Sequence, residues 1–150
     1  MKKKIIFWIL TALFIVFIFS NSFKAAEVSK LDSGFVMELV NKIVSFFSPG
    51  VTVSHQFVRK AAHFSEYAFL GLLVLNLYVA YEEKFSKIFS FLFIGLSVSV
   101  TDETIQLFAS GRSGEVADIL LDFSGFIIGM IFTRIFITLL RVIRKKEVVE

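Results

Sequence analysis

Cysteine is absent from this chain, and proline occurs once in 150 residues. The first absence excludes a disulfide framework and thiolate chemistry and leaves the redox compartment open. One proline against twenty phenylalanines reads as long helices coated in large apolar side chains that face lipid. A basic stripe interleaved with exposed aromatics is also missing, which argues against nucleic acid as a partner. The cations gather instead at the ends, in Lys2, Lys3 and Lys4 and in Arg141, Arg144, Lys145 and Lys146. Basic ends on a hydrophobic chain point to a membrane surface. What is abundant is apolar: 56% of residues are hydrophobic and mean hydropathy is +0.78, outside the soluble globular class.

Hydrophobic runs organise residues 1–150 as one all-α integral membrane domain with the lipid bilayer as its medium. Four transmembrane helices are expected, over about 5–23, 63–81, 88–101 and 119–140. A Lys-rich start before an apolar run also resembles a secretory signal, but no small-x-small cleavage site follows, so a retained span is expected. Glu82, Glu83 and Lys84 end the second span, and Asp122 and Arg134 interrupt the fourth. Four spans put both termini on one side. The denser positive clusters beside the first and last spans place that side in the cytoplasm of a multi-pass protein of the cell membrane.

Between the first two spans, Phe35, Leu39, Ile43 and Phe47 recur at four-residue steps, with Glu38, Asn41, Lys42 and Ser45 opposite. This spacing predicts an amphipathic helix over 35–48, capped by Asp32 or Ser33 and stopped by Pro49-Gly50. It is too short to span, so it lies on the extracytoplasmic membrane interface or packs over the bundle mouth. Ser54 can cap a helix that carries Arg59 and Lys60 into the second span.

The scarce polar residues of the apolar segments mark where function should be sought, because such groups are costly unless paired, solvated or in use. His63, Glu66 and Tyr67 fall at i, i+3 and i+4 and share one helix face. Glu103 and Asp102 precede Gln106 at three and four residues. Asp118, Asp122, Gly125 and Gly129 make one stripe, and its GxxxG lets a neighbouring helix come close along the face that carries both aspartates. The three faces can converge on one polar pocket, to which Arg112 in Ser110-Gly111-Arg112-Ser113-Gly114 adds a guanidinium. Guanidinium and helix-start N–H groups suit a phosphate or carboxylate. The set contains enough donors for a divalent metal cofactor, although no established metal motif is matched. Glu66, Asp102, Glu103 and Asp118 are the candidates for general acid/base work. Structural roles stand beside these readings. Arg112 can pair with Asp102, Glu103 or Asp118, Ser113 can cap the last helix, Gly111 can end the third span left-handed, and Glu66 and Asp122 can bond across helices. Asn76 and Arg134 read as interhelical or snorkelling contacts, and His55 as solvated.

Three blocks, Lys60-x-x-His63-Phe64-x-x-Tyr67-x-x-x-Gly71, Asp102-Glu103-x-x-Gln106-x-Phe108-x-x-x-Arg112-Ser113-Gly114 and Asp118-Ile119-x-x-Asp122-x-x-Gly125-x-x-x-Gly129, resemble the VanZ-like family of small bacterial membrane proteins. The resemblance covers about residues 57–130. Many of its members have Asn where this chain has Asp122. The family is associated with raised resistance to teicoplanin and related lipoglycopeptides, with no established reaction. The resemblance therefore implies an envelope role. The expected function is binding or handling an envelope lipid or anionic headgroup in an outward-facing pocket of His63, Glu66, Tyr67, Asp102, Glu103, Gln106, Arg112, Asp118 and Asp122. A membrane-embedded hydrolase or transferase acting on a lipid-linked substrate is the alternative, disfavoured because no nucleophile motif is visible. A structural accessory subunit is the third reading.

Overall fold

The computed structural model describes residues 2–81 and 87–147, without the side chains at 30–33, 35, 146 and 147. Among these residues all regular structure is helical. In chain order the helices are α1 (Lys2–Ser22), α2 (Ala26–Phe47), α3 (His55–Ala80), α4 (Ile88–Gln106) and α5 (Val116–Glu147). Helices α1, α3, α4 and α5 are each long and apolar enough to cross a membrane, as the hydrophobic runs predict.

The polar ends of the expected spans are helical too. Ser54 accepts a hydrogen bond from the Phe57 N–H, so α3 starts eight residues before His63 and carries Arg59 and Lys60 on its first turns. Helix α4 continues through Asp102 and Glu103 to Gln106. At about 1.5 Å per residue, the 32 residues of α5 reach about 48 Å, more than the ~30 Å hydrocarbon core. Its last turns carry Arg141, Arg144 and Lys145 past the apolar region.

Two expected caps are corrected. Helix α2 begins at Ala26 rather than near Phe35, because a tertiary contact, the Ala26 N–H donating to the Ser110 carbonyl at 3.0 Å, fixes its first turn. Asp32 and Ser33 thus lie within the helix; their side chains lie outside the described residues, as do Glu82, Glu83 and Lys84. Helix α5 begins at Val116 rather than under a Ser113 cap. The N–H of Glu115 donates to the Glu103 carboxylate of α4 at 3.0 Å, which supplies an acceptor where Ser113 was expected to. Gly111 adopts the expected left-handed conformation, with φ of 73°.

The spans run up and down, and both termini emerge at one end of the bundle. There the Trp8 indole donates to the Tyr81 hydroxyl at 3.0 Å, and Lys4 lies over the Tyr81 ring. At the other end meet the close of α1, all of α2, the start of α3, the close of α4 and the start of α5. Helices α3 and α5 run parallel and form the most extensive pair. Their closeness comes from glycine: a Cβ on Gly71 would overlap the Phe126 carbonyl, one on Gly125 that of Phe64, and one on Gly129 that of Ala68. Backbone therefore rests on backbone, as the GxxxG stripe predicts. Phe126 is fully buried in this seam against Tyr67, Leu70 and Val74. Other phenylalanines, such as Phe89, Phe93 and Phe132, stand exposed for lipid. The Asn76 amide donates to the Leu72 carbonyl of its own helix at 2.9 Å.

Candidate functional site

Helix phase brings the three polar faces together at the end of the bundle shared with α2. Helix α3 contributes His63, Glu66 and Tyr67, α4 contributes Asp102, Glu103 and Gln106, and α5 contributes Asp118 and Asp122. The loop after α4 contributes Arg112. They do not form one uniform pocket. A buried polar core and an open cationic cavity lie side by side, with His63 belonging to both.

Asp102, Asp122 and Tyr67 are fully buried, and Glu103 and Gln106 nearly so. Asp102 is held from both sides: the Ser22 hydroxyl donates to one carboxylate oxygen, and the Gln106 amide donates to the other at 3.4 Å. Gln106 also donates to Glu103 at 3.0 Å, and the second oxygen of Glu103 accepts from the Glu115 N–H. Asp102 and Glu103 are thus fixed by donors on α1, α4 and the α5 entry. Asp122 is not. Neither of its carboxylate oxygens has a hydrogen-bond partner within the described residues. The imidazole Nδ1 of His63, also without a hydrogen bond, lies 4.0 Å from Asp122 Oδ1. The Tyr67 hydroxyl lies beside Ser99 and Asp102 yet makes no well-aligned hydrogen bond.

The second region is a cavity of about 340 Å³ between α1, α2 and α3. Phe17, Val36, Val58 and Ala62 give it an apolar wall, and Lys24, Arg59 and Arg112 supply positive charge. His63 and Glu66 close its inner side, where Asn21 donates to Glu66 at 3.4 Å. Arg59 and Arg112 also border a second cavity beyond them, of about 350 Å³. Burial, and then the neighbouring Arg59 guanidinium, hold Arg112 below the ordinary arginine value. It remains a cation.

Among the described residues Arg112 makes no ion pair, so the alternative pairing with Asp102, Glu103 or Asp118 is not formed. Asp118 binds the α3 cations instead, at 2.9 Å from Lys60 and 3.5 Å from Arg59. The N–H of Glu115 is taken by Glu103, so the helix-start donors expected beside Arg112 are not all open. Asn21, Ser22, Arg59 and Lys60 join the site without having been singled out as site residues. Arg59 and Lys60 had a signal, two cations one turn before His63. Asn21 and Ser22 had none beyond being polar at the end of a span.

The donor set allows two chemistries. The cavity offers cations beside an apolar wall, which suits an amphiphilic anion. Among the described residues, His63, Asp102 and Asp122 each bring one ligand-type atom to within 4.8 Å of the others. Glu66, exposed to the cavity next to His63, is the one acid/base candidate that a molecule in the cavity would touch. No match to the chain was found among curated proteins or solved structures. A family model described as VanZ/LLP1 matches residues 7–137.

Proposed function

The chain belongs to the VanZ/LLP1 family, and from that premise we propose that it is a cell-envelope protein that binds the anionic headgroup of an envelope lipid in the cavity beneath α2. Arg112 and Arg59 hold the headgroup, the wall of Phe17, Val36 and Val58 takes the upper acyl chain, and His63 and Glu66 face the polar atoms. The termini lie in the cytoplasm and the cavity opens on the outer face. By altering the lipids exposed there, the protein lowers susceptibility to teicoplanin and related lipoglycopeptides.

One observation carries the reading: Arg59 and Arg112 line one half-apolar cavity, and Arg112 has no ion pair among the described residues. Guanidinium groups so placed favour an anion between them, and the apolar wall favours one with a hydrocarbon tail. The polarity of the two ends supports the orientation, because Lys2, Lys3 and Lys4 share an end with Arg141, Arg144 and Lys145.

The test expresses the wild type and Arg112→Ala at equal membrane levels in a teicoplanin-sensitive Gram-positive host. Raised resistance from the wild type, lost in the variant, is the expected result. In parallel, purified protein is offered phosphatidylglycerol or phosphatidylcholine in nanodiscs. Preference for phosphatidylglycerol should disappear in Arg112→Ala, and a wild type without that preference would overturn the binding reading. Because the chain has no cysteine, a single Phe46→Cys can be labelled from outside the cell to check the orientation.

A further inference from the structure

We propose that His63, Asp102 and Asp122 form a binding site for a divalent transition-metal cation, at the inner wall of the cavity. Three helices contribute. His63 comes from α3, Asp102 from α4 and Asp122 from α5, and their nearest ligand-type atoms lie within 4.8 Å of one another. A metal with bonds of about 2.1 Å separates its ligands by roughly 3 to 4.2 Å, so a small inward rotation of these side chains closes the sphere.

Proximity of acids alone would not carry this. The second observation is what these side chains do not do. Asp122 is fully buried, and both of its oxygens lack any hydrogen-bond partner within the described residues. His63 Nδ1, facing it at 4.0 Å, is likewise unpartnered. Buried carboxylates are almost always satisfied by donors or by a cation. Most neighbouring donors go to other acceptors: Gln106 to Asp102 and Glu103, Ser22 to Asp102, and Lys60 and Arg59 to Asp118, while the buried Tyr67 hydroxyl bonds none of the carboxylates among the described residues.

Asp102 also has the support expected of a metal ligand. The Ser22 hydroxyl and the Gln106 amide hold its carboxylate in orientation, as outer partners do around metal-bound carboxylates. One imidazole and two carboxylates suit a zinc- or manganese-type ion better than calcium or magnesium, which prefer oxygen alone. Three protein ligands leave a coordination position open. Since His63 also lines the cavity, that position is within reach of a phosphate or water entering from it.

The test uses the full chain in detergent, stripped with EDTA and equilibrated with Zn²⁺ or Mn²⁺, with bound metal measured by elemental mass spectrometry. The wild type should retain about one ion per chain and unfold at a higher temperature with metal than without. Asp122→Asn and His63→Gln should bind at least tenfold more weakly at the same free metal. Ser22→Ala spares every ligand and should weaken binding by about tenfold through loss of orientation, which covers the case in which a ligand variant does not fold. Arg112→Ala should keep the metal, so failure of the lipid reading and failure of this one are told apart. A wild type that takes up no stoichiometric metal, or a folded Asp122→Asn that binds as well as the wild type, overturns the proposal.

Discussion

The contact between α3 and α5 changes character along its length. Toward the bundle interior, Gly71, Gly125 and Gly129 let backbone lie on backbone, and Phe126 fills the remaining space. One to two turns toward the α2 end, the same pair of helices holds His63 against Asp122, and His63 Nδ1 and both Asp122 oxygens lack hydrogen-bond partners among the described residues. In a membrane protein, lipid tails are as apolar as the core, so association depends on close packing and interhelical polar contacts rather than on apolar burial. The glycine half is where this pair gains its stability, and the His63–Asp122 half holds buried polar atoms that have no hydrogen-bond partner among the described residues.

The largest effect should come from adding a methyl group to the seam. Gly129→Ala drives a Cβ into the Ala68 carbonyl, and neither backbone can move without separating the helices. A loss of about 3 kcal/mol or more is expected, at the upper end of overpacking costs, read as failure to give a monodisperse protein or as a large drop in unfolding temperature in detergent. Gly34→Ala in α2 is the matched control. Its Cβ would meet nothing within 4 Å, so it should be neutral or gain up to about 1 kcal/mol of helix propensity. Equal behaviour of the two variants would refute the backbone-on-backbone account.

In the polar half, expected effects are smaller and differ in kind. Gln106→Leu removes the donor shared by Asp102 and Glu103 and should cost about 1 to 3 kcal/mol, because two buried carboxylates lose a partner. Lys60→Met should cost less than Gln106→Leu and lose part of that effect in high salt, since its 2.9 Å pair with Asp118 lies near the rim with a third of the lysine side chain exposed. If Lys60→Met proved the more damaging change, the rim rather than the buried network would be holding this end together.

Much of this division was legible in the sequence because helical periodicity is a local property. The steps of four, three and four from Asp118 to Gly129 place two aspartates and two glycines on one stripe, and the stripe does meet α3. The i, i+3 and i+4 spacing of His63, Glu66 and Tyr67 likewise predicts their common face. What could not be read were partners chosen across the bundle. Ser22 bonds Ile18 of its own helix, as a serine in an apolar helix commonly does, while its contact with Asp102 spans 80 positions. The α2 start failed for the same reason, since Ser110, far along the chain, accepts from Ala26 where Asp32 and Ser33 offered a plausible local cap. Phenylalanine was ambiguous for a different reason. Lipid-facing Phe132 and core-filling Phe126 are the same residue type in equally apolar surroundings, so neither hydropathy nor type separates them.

The smallest expected effect lies outside both halves, on the exposed side of α2. Glu38 and Lys42 form the predicted i, i+4 pair at 2.9 Å with both side chains largely exposed. The hydrogen bond and the charge of Lys42 hold the Glu38 carboxyl below its ordinary value of 4.5. A carboxyl whose value is lowered on folding contributes stability that is present above the ordinary value and lost as pH falls through the lowered one. Any contribution from this pair is therefore complete at neutral pH and is lost only as pH falls below the ordinary carboxyl value. Glu38→Gln should leave the unfolding temperature at pH 7 within measurement error and abolish no binding. A marked fall in stability at neutral pH would mean that the solvent-facing side of α2 contacts something beyond the bundle, and the comparison would then need a third region.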